Sequence, residues 1–156
     1  MERLCEVGKP QGDKRCSVPY YMEGHAMAHQ EIRSPKVFKS TAPFSLATVT
    51  TGSRLLHISG QVAQGSDGQT VGKGDIEKQT TQVLENMKAL VEQAGGTLAD
   101  VARIVVYLTS RDYLPTVMEV RRRYFKEPYP ASTGVVVVGL ANPEWMVEIE
   151  ATAVLR

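Results

Sequence analysis

The sequence predicts an α+β fold of element order β-β-α-β-α-β-β, in which two helices cover one face of a mixed sheet. β-Rich runs alternate with two segments of helical periodicity. Each helical segment stands between strands, as a crossover connection requires. Two helices cannot cover both faces of a five- or six-stranded sheet, so the second face must meet water or another chain.

The 156 residues suffice for one domain with its own core. Residues 1–33 are rich in Gly, Pro and charge without a sustained period, so we expect an N-terminal extension before a domain of residues 34–156. A net charge of +1 gives no indication of a nucleic-acid surface. No apolar run is long enough for a membrane span, and the N-terminus does not resemble a secretory signal.

The extension contains both cysteines and two histidines spaced four apart. These residues suggest a zinc site as an alternative to a flexible leader. Cys5, Cys16, His25 and His29 are zinc-ligand types. The interval between the cysteines fits no common zinc module, so we expect a flexible leader and no metal there. With no cysteine in the apolar body, a reducing cytoplasm is the expected location.

The first two β-rich runs, residues 44–50 and 54–63, are separated by a Thr-Gly-Ser turn that predicts a hairpin. Residues 64–74 are rich in Gly and predict a loop. His57 lies within the second run and is expected to be a packed or half-exposed strand residue rather than a general base. The Ser59-Gly60-Gln61 segment either orients a ligand or simply ends the strand.

Residues 75–94 give the clearest helix, which Asp75 caps and Gly95-Gly96 ends. Enrichment in Val, Ile and Tyr predicts a strand over 101–109. Asp112 is expected to cap the second helix. Pro115 would then lie in the first turn of that helix, where proline is tolerated. The apolar stripe of that helix comprises Leu114, Val117, Val120, Tyr124 and Phe125.

The last two β-rich segments indicate what covers the second face of the sheet. Residues 132–140 are almost continuously apolar, as in a strand covered on both faces. We therefore expect a homo-oligomer with ligand clefts at its subunit boundaries. Residues 145–156 alternate strictly, so Glu148 and Glu150 share one face roughly 6.5–7 Å apart. A desolvated carboxylate there would suit proton transfer, although solvated ion pairs fit the same spacing.

Several motifs together resemble the RidA/YjgF family over roughly residues 40–156. They are HISGQ at 57–61, the segment 79–110, YF at 124–125, PAS at 130–132 and VEIEATA at 147–153. The resemblance implies a chorismate-mutase-like fold and a homotrimer around a central barrel, with three intersubunit clefts. Family members hydrolyse reactive imines and enamines to carbonyl compounds and ammonia without a cofactor. Others are pathway-specific, such as 2-aminomuconate deaminase, or have no established activity.

The resemblance also implies roles for individual residues. Glu148 matches the first glutamate of the family's E-I-E pattern, which positions or activates the attacking water. Gly60 and Gln61 match the S-G-Q turn beside the cleft. Ser132, followed by Thr133, stands where the P-A-R-S motif of the family places a substrate-holding arginine.

At two positions this sequence departs from the family pattern, and each departure removes a polar group from the implied cleft. Phe44 matches a cleft tyrosine, and Ser132 lacks the bidentate guanidinium, which should weaken carboxylate binding by about 1.5–3 kcal/mol. Ser132 and Thr133 can still donate single hydrogen bonds, and Phe44 would pack against a larger substrate. Arg103 is the candidate replacement cation, with a surface ion pair as the alternative.

These residues favour an imine or enamine hydrolase, a deaminase acting on a small molecule, with a substrate range shifted from simple 2-imino acids. The alternative is a non-catalytic trimer that binds a small molecule or a partner protein in the same cleft. A ribonuclease activity is disfavoured by the near-zero net charge.

Overall fold

The computed structural model describes residues 29–32, 43, 47–50 and 54–155. The strands are β1 (His29–Ile32), β2 (Ala47–Thr50), β3 (Arg54–Val62), β4 (Val101–Leu108), β5 (Ala131–Val136) and β6 (Val147–Leu155). The helices are α1 (Ile76–Gln93) and α2 (Leu114–Tyr124).

Four of the strands form one mixed sheet, in the order β3-β6-β4-β5. β6 is antiparallel to both of its neighbours, whereas β4 and β5 are parallel. α2 supplies the crossover that a parallel pair needs, and α1 connects β3 to β4 on the same face. The mixed sheet with two helices confirms the predicted fold class.

The predicted hairpin between the first two β-rich runs is not seen among the described residues, and its turn, residues 51–53, lies outside them. β2 pairs with β1, in the register Ala47 with Ile32, and β3 pairs with β6. β1 itself lies inside the segment expected to be an extension. A turn-forming tripeptide reverses the chain locally, but the strand that each edge then bonds to is decided by contacts distant in sequence.

α1 follows its sequence pattern closely. The Asp75 side chain caps it by accepting a hydrogen bond from the backbone N–H of Lys78 at 3.0 Å. Gly95 ends the helix with a φ of +87°, a conformation in which a side chain would be strained. The buried apolar stripe consists of Val83, Leu84, Met87 and Val91.

α2 begins differently from the prediction that Asp112 caps it. The N-cap position of α2 is Tyr113, which makes no side-chain cap bond, and Ser110 instead caps the turn before the helix by accepting a hydrogen bond from the Asp112 backbone N–H at 3.2 Å. A single 3-10 turn, Arg111–Tyr113, then leads into the helix. Ser and Asp are both favoured caps, so two candidates two residues apart cannot be ranked by type. Within the predicted stripe, Val117 and Val120 are buried but Leu114 is exposed.

The core lies between the sheet and the two helices, and the opposite face of the sheet carries the polar residues of β6. Residues Val147, Ile149, Ala151 and Ala153 are buried, whereas Glu148, Glu150 and Thr152 are partly exposed. This confirms the predicted alternation. We call the face opposite the helices the open face; Ala102 and Val154 form a small buried cluster at one end of it.

β5 is an edge strand, and its apolar run is left uncovered within the single chain. The strand ends at Val136, and Val135, Val136 and Val138 are exposed. The expectation of cover on both faces is therefore not met by this chain alone. The homotrimer that would supply the cover stays a prediction.

A buried amide joins α1 to the loop before β6. Gln79 is fully buried, and its Nε2 donates to the carbonyl oxygens of Glu144 at 2.7 Å and Gly72 at 3.3 Å. Its Oε1 accepts from the backbone N–H of Met146 at 2.8 Å. The amide thus fixes the position at which β6 starts.

We predict that Gln79→Ala lowers the free energy of unfolding by about 2–3 kcal/mol, because buried backbone groups lose their partners. Urea unfolding measures this loss. Gln93→Ala, at the exposed last residue of the same helix, is the matched control and should change stability by less than about 0.5 kcal/mol. Equal losses in the two variants would show that the buried amide has no special role.

Candidate active site on the open face of the sheet

The site is built on an irregularity in β3. Ile58 pairs with Ala151 and Gln61 pairs with Ile149, so two residues of β3 oppose one residue of β6. This is a β-bulge at Ser59 and Gly60, a feature that re-aims backbone and side chains beside it. The Gln61 Nε2 donates to the Ser59 carbonyl at 3.0 Å and ties the two ends of the bulge together.

The carboxylate of Glu148 lies directly on the backbone of Gly60. A Cβ atom added at position 60 would stand 2.7 Å from Cδ and 2.9 Å from Cγ of Glu148, and would overlap Oε1. Carbon atoms do not approach so closely, so a side chain at this position would displace the carboxylate. Glycine at 60 is therefore a steric requirement of the Glu148 position.

The strand register places two carboxylates, a guanidinium and a phenol side by side on the open face. In the pairing of β4 with β6, Tyr107 is opposite Glu148, Val105 is opposite Glu150, and Arg103 is opposite Thr152. Residues paired across a sheet project on the same side. Arg103, Tyr107, Glu148 and Glu150 thus form one cluster next to the bulge.

The two carboxylates of this cluster differ in their partners. Arg103 Nη1 lies 3.8 Å from Glu150 Oε1, with both side chains about half exposed. Tyr107 donates a hydrogen bond to Glu150, and the pKa of Tyr107 is raised by partial burial and then by the charges of Glu150 and Glu148, against a lowering by Arg103. Among the side chains that the structure describes, none bonds to Glu148. Its carboxylate is available to water.

Polar residues of α1 fix the strand that carries the bulge. Asn86 Nδ2 donates to the carbonyls of Val62 at 3.2 Å and Gln64 at 2.9 Å, just beyond Gly60. Gln82 Nε2 in turn donates to Asn86 Oδ1 at 2.7 Å. Together with Gln79, these amides attach both site-bearing strands to one helix.

The structure brings some of the predicted site residues together and separates two, Ser132 and Gln61, from them. Gly60, Glu148, Arg103 and Thr133 lie on the open face, Thr133 through its pairing with Val105. Ser132 instead pairs with the buried Ile104, on the face that the helices cover. One chain therefore cannot present Ser132 and Glu148 to the same ligand.

Of the remaining predicted residues, Gln61 pairs with the buried Ile149 on the helix-covered face and bonds to the Ser59 carbonyl, and Phe44 lies outside the described residues. His57 lies on β3 as predicted, but it is exposed rather than packed or half-exposed.

Tyr107 is a site residue that sequence reasoning missed. It stands four residues after Arg103, an even interval that places both side chains on one face of a strand. That signal becomes informative only with the register of β6, which is not local. Gln79 and Asn86 were missed too, because polar residues within a helix are ordinarily exposed.

Metal and membrane features can be assessed for the part of the chain that the structure describes. Within it, no three His, Cys, Asp or Glu side chains cluster in a way that could hold a metal ion. The alternative zinc site lies outside it, at Cys5, Cys16 and His25, and the side chain of His29 is not described. No described helix has the length and apolarity to cross a membrane.

Comparison with known proteins identifies the group to which this arrangement belongs. The family model described as Endoribonuclease L-PSP matches residues 34–155. A RutC family protein of Pyrococcus abyssi is 35% identical over 127 residues, which cover 81% of this chain and 98% of the relative. This chain belongs to the RidA/YjgF family. A RutC family protein of Pyrococcus horikoshii is 40% identical over 115 residues, covering 74% of this chain and 89% of that protein.

Solved structures of RidA/YjgF proteins share the fold. The Rid family protein YyfB of Yersinia pestis superposes with a TM-score of 0.77 at 37% identity, covering 83% of this chain and 100% of YyfB. RidA from an Antarctic Psychrobacter gives a TM-score of 0.62 at 33% identity, covering 81% of this chain and 99% of that chain.

We predict that Gly60→Ala lowers the free energy of unfolding by about 1–3 kcal/mol, because the new methyl group collides with the Glu148 carboxylate. Chemical denaturation provides the measurement. The matched control is Gly134→Ala on β5, where an added Cβ meets no atom within 4 Å, and it should cost nothing measurable. If the two glycines tolerate alanine equally, the close approach does not constrain the site.

Proposed function

We propose that this protein hydrolyses the C=N bond of reactive imines, or of enamines through their imine tautomers, and releases ammonia from a small metabolite. The observation that carries the proposal is the Glu148 carboxylate, which lies on the Gly60 bulge and is bonded by no side chain among the described residues. Family membership supports the same reaction class. We expect the reaction to take place in the cytoplasm.

The reaction balances with water as the sole second reactant. As the water oxygen bonds to the imine carbon, Glu148 accepts one of its protons and passes it to the imine nitrogen, so that a neutral carbinolamine forms. Glu148 then takes the proton of the new hydroxyl group and delivers it to the amino nitrogen, the C–N bond breaks, and ammonia leaves as the carbonyl forms. A single carboxylate that acts first as base and then as acid suffices for both steps.

The neighbours of the two glutamates favour Glu148, rather than Glu150, as the carboxylate that moves the protons. Glu150 forms an ion pair with Arg103 and accepts a hydrogen bond from Tyr107, so its charge is already compensated. Glu148 has no such partner among the described residues. Since the pKa of Tyr107 is raised above that of an ordinary phenol, its hydroxyl remains protonated at neutral pH and keeps donating to Glu150.

A cleft between subunits follows from the separation of Ser132 and Glu148. Because they occupy opposite faces of the sheet, a ligand could touch both only if β5 of one chain lies beside the open face of another. The exposed Val135, Val136 and Val138 offer an apolar surface for such packing. We propose a homotrimer with Phe44, Ser132 and Thr133 at its clefts.

Ser132 is also the basis for a shifted substrate range. A hydroxyl in the place of the family arginine makes one neutral hydrogen bond instead of a bidentate, charge-assisted pair. Small 2-imino acids, whose carboxylate is bonded to the reacting carbon, would therefore be held weakly. Larger or less charged substrates would be favoured.

We predict that Glu148→Gln lowers ammonia release at least about 100-fold, because the amide cannot accept the water proton. The assay couples ammonia to a spectroscopic readout, with imines, 2-aminoacrylate and conjugated enamines generated in place. Glu92→Gln, an exposed carboxylate on α1, is the control and should retain full activity.

Two results would contradict the hydrolase proposal. The wild type could fail to release ammonia above the uncatalysed rate from every compound in the panel. Ligands could instead raise the melting temperature equally in the wild type and in Glu148→Gln without any turnover, which would identify a non-catalytic binding protein.

We predict that Ser132→Arg raises kcat/KM for 2-iminopropionate by at least about tenfold, since it restores a bidentate carboxylate contact. Ser66→Arg adds the same charge in the exposed loop before α1, away from the proposed cleft, and should give no such gain. If Ser132→Arg gives no gain, the cleft differs from that of its relatives in more than this side chain.

A further inference from the structure

Arg121 is the one Lys or Arg side chain that is buried among the described residues. It lies on α2 with only 3% of its surface exposed, whereas Arg122 and Arg123 beside it are exposed and form ion pairs with carboxylates. Burial lowers the pKa of Arg121 to about 10, so the guanidinium stays charged at neutral pH. The protein therefore keeps a full positive charge in its interior.

The hydrogen bonds that Arg121 makes to described residues are long. Nη2 donates to the Pro43 carbonyl at 3.3 Å, and Nη1 donates to the Met118 sulfur at 3.4 Å. Charge-assisted N–H···O bonds are about 2.7–2.9 Å long, and a thioether is a weak acceptor. Nε is buried and has no hydrogen-bond partner. Most of the donor capacity of the guanidinium is thus unused.

No described carboxylate balances this charge. The ion pairs among the described residues all involve other side chains. The pKa of Arg121 is lowered by desolvation, without an opposing effect from a neighbouring negative charge. The end of α2 at Tyr124 supplies only the partial negative charge of its last carbonyls. A buried cation is strongly unfavourable unless an anion compensates it, and an unpartnered buried N–H group adds to that penalty.

We infer that Arg121 is the centre of an internal binding site for a small monovalent anion, of the size of chloride or nitrate. The anion accepts hydrogen bonds from Nε and from the remaining N–H groups of the guanidinium. Its size follows from burial, because a ligand beside a side chain that is 3% exposed has little room for further atoms. Its single charge matches the single charge of the guanidinium.

The anion site is separate from the Glu148 site. Arg121 lies on a helix that packs on one face of the sheet, whereas Glu148 lies on the open face. Because Arg121 also bonds to Pro43, the anion would stabilise the junction between α2 and the segment before β2. The inference is therefore independent of the hydrolase proposal, and its test requires no turnover.

The test follows thermal unfolding of the full chain while sodium chloride replaces sodium gluconate at constant ionic strength. Gluconate is too large for the site. About 200 mM chloride should raise the melting temperature of the wild type by at least about 3 °C, because a ligand that binds only the folded state stabilises it. Arg121→Met should abolish this response, since methionine has no charge and no N–H group. The matched control is Arg122→Met, which removes an exposed arginine from the same turn and should keep the full response.

A second measurement uses the wild type alone and so does not depend on whether Arg121→Met folds. Crystals grown in sodium bromide are measured at the bromine absorption edge. We expect an anomalous scatterer within hydrogen-bonding distance of Arg121 Nε.

Three results would overturn the inference. The wild-type melting temperature could stay the same when chloride replaces gluconate. Arg121→Met could respond to chloride as strongly as the wild type, which would place the bound anion elsewhere. Bromide could bind only at other positions, in which case Arg121 simply ties α2 to the Pro43 carbonyl.

Discussion

The contact between the Glu148 carboxylate and the Gly60 backbone is the interaction on which the rest of the site depends. It requires a bulge in β3, which turns the strand toward β6, and a residue without a Cβ atom at the point of approach. Together they hold one carboxylate at the surface of the sheet without using any of its hydrogen-bonding capacity on another described side chain. A carboxylate that no described side chain bonds keeps its lone pairs for water, which is what the proposed imine hydrolysis needs.

Amides of α1 make this arrangement rigid. Gln79 holds the entry to β6, Asn86 holds the exit from β3, and both act on backbone groups rather than on the reacting side chain. The buried polar atoms involved are satisfied by each other, so the helix can be closely packed and still fix two strands. A site placed on strands supported in this way is more precise than one placed on loops. The same helix buries its apolar stripe against the sheet, so stability and site geometry come from one element.

How much of this the sequence could predict depends on whether the feature is local. The alternation of β6 and the boundaries of α1 follow from periodicity and caps within a few residues, and both were predicted correctly. The partner of β2, the side of the sheet on which Ser132 lies, and the place of Tyr107 beside the carboxylates all depend on register between distant segments. Glu148 and Gly60 were chosen through their match to a family motif. Their direct contact could not have been derived from spacing, because they are far apart in the chain.

The central claim is that chemistry takes place on the open face over the Gly60 bulge. A crystal structure of Glu148→Gln bound to a slowly reacting conjugated enamine tests it most directly, because the unreacted substrate is then visible. We expect the C=N carbon within one water molecule of the residue 148 amide, with the substrate lying against the Gly60 backbone. A substrate found on the helix-covered face, or more than about 6 Å from residue 148 with no bridging water, would contradict the account.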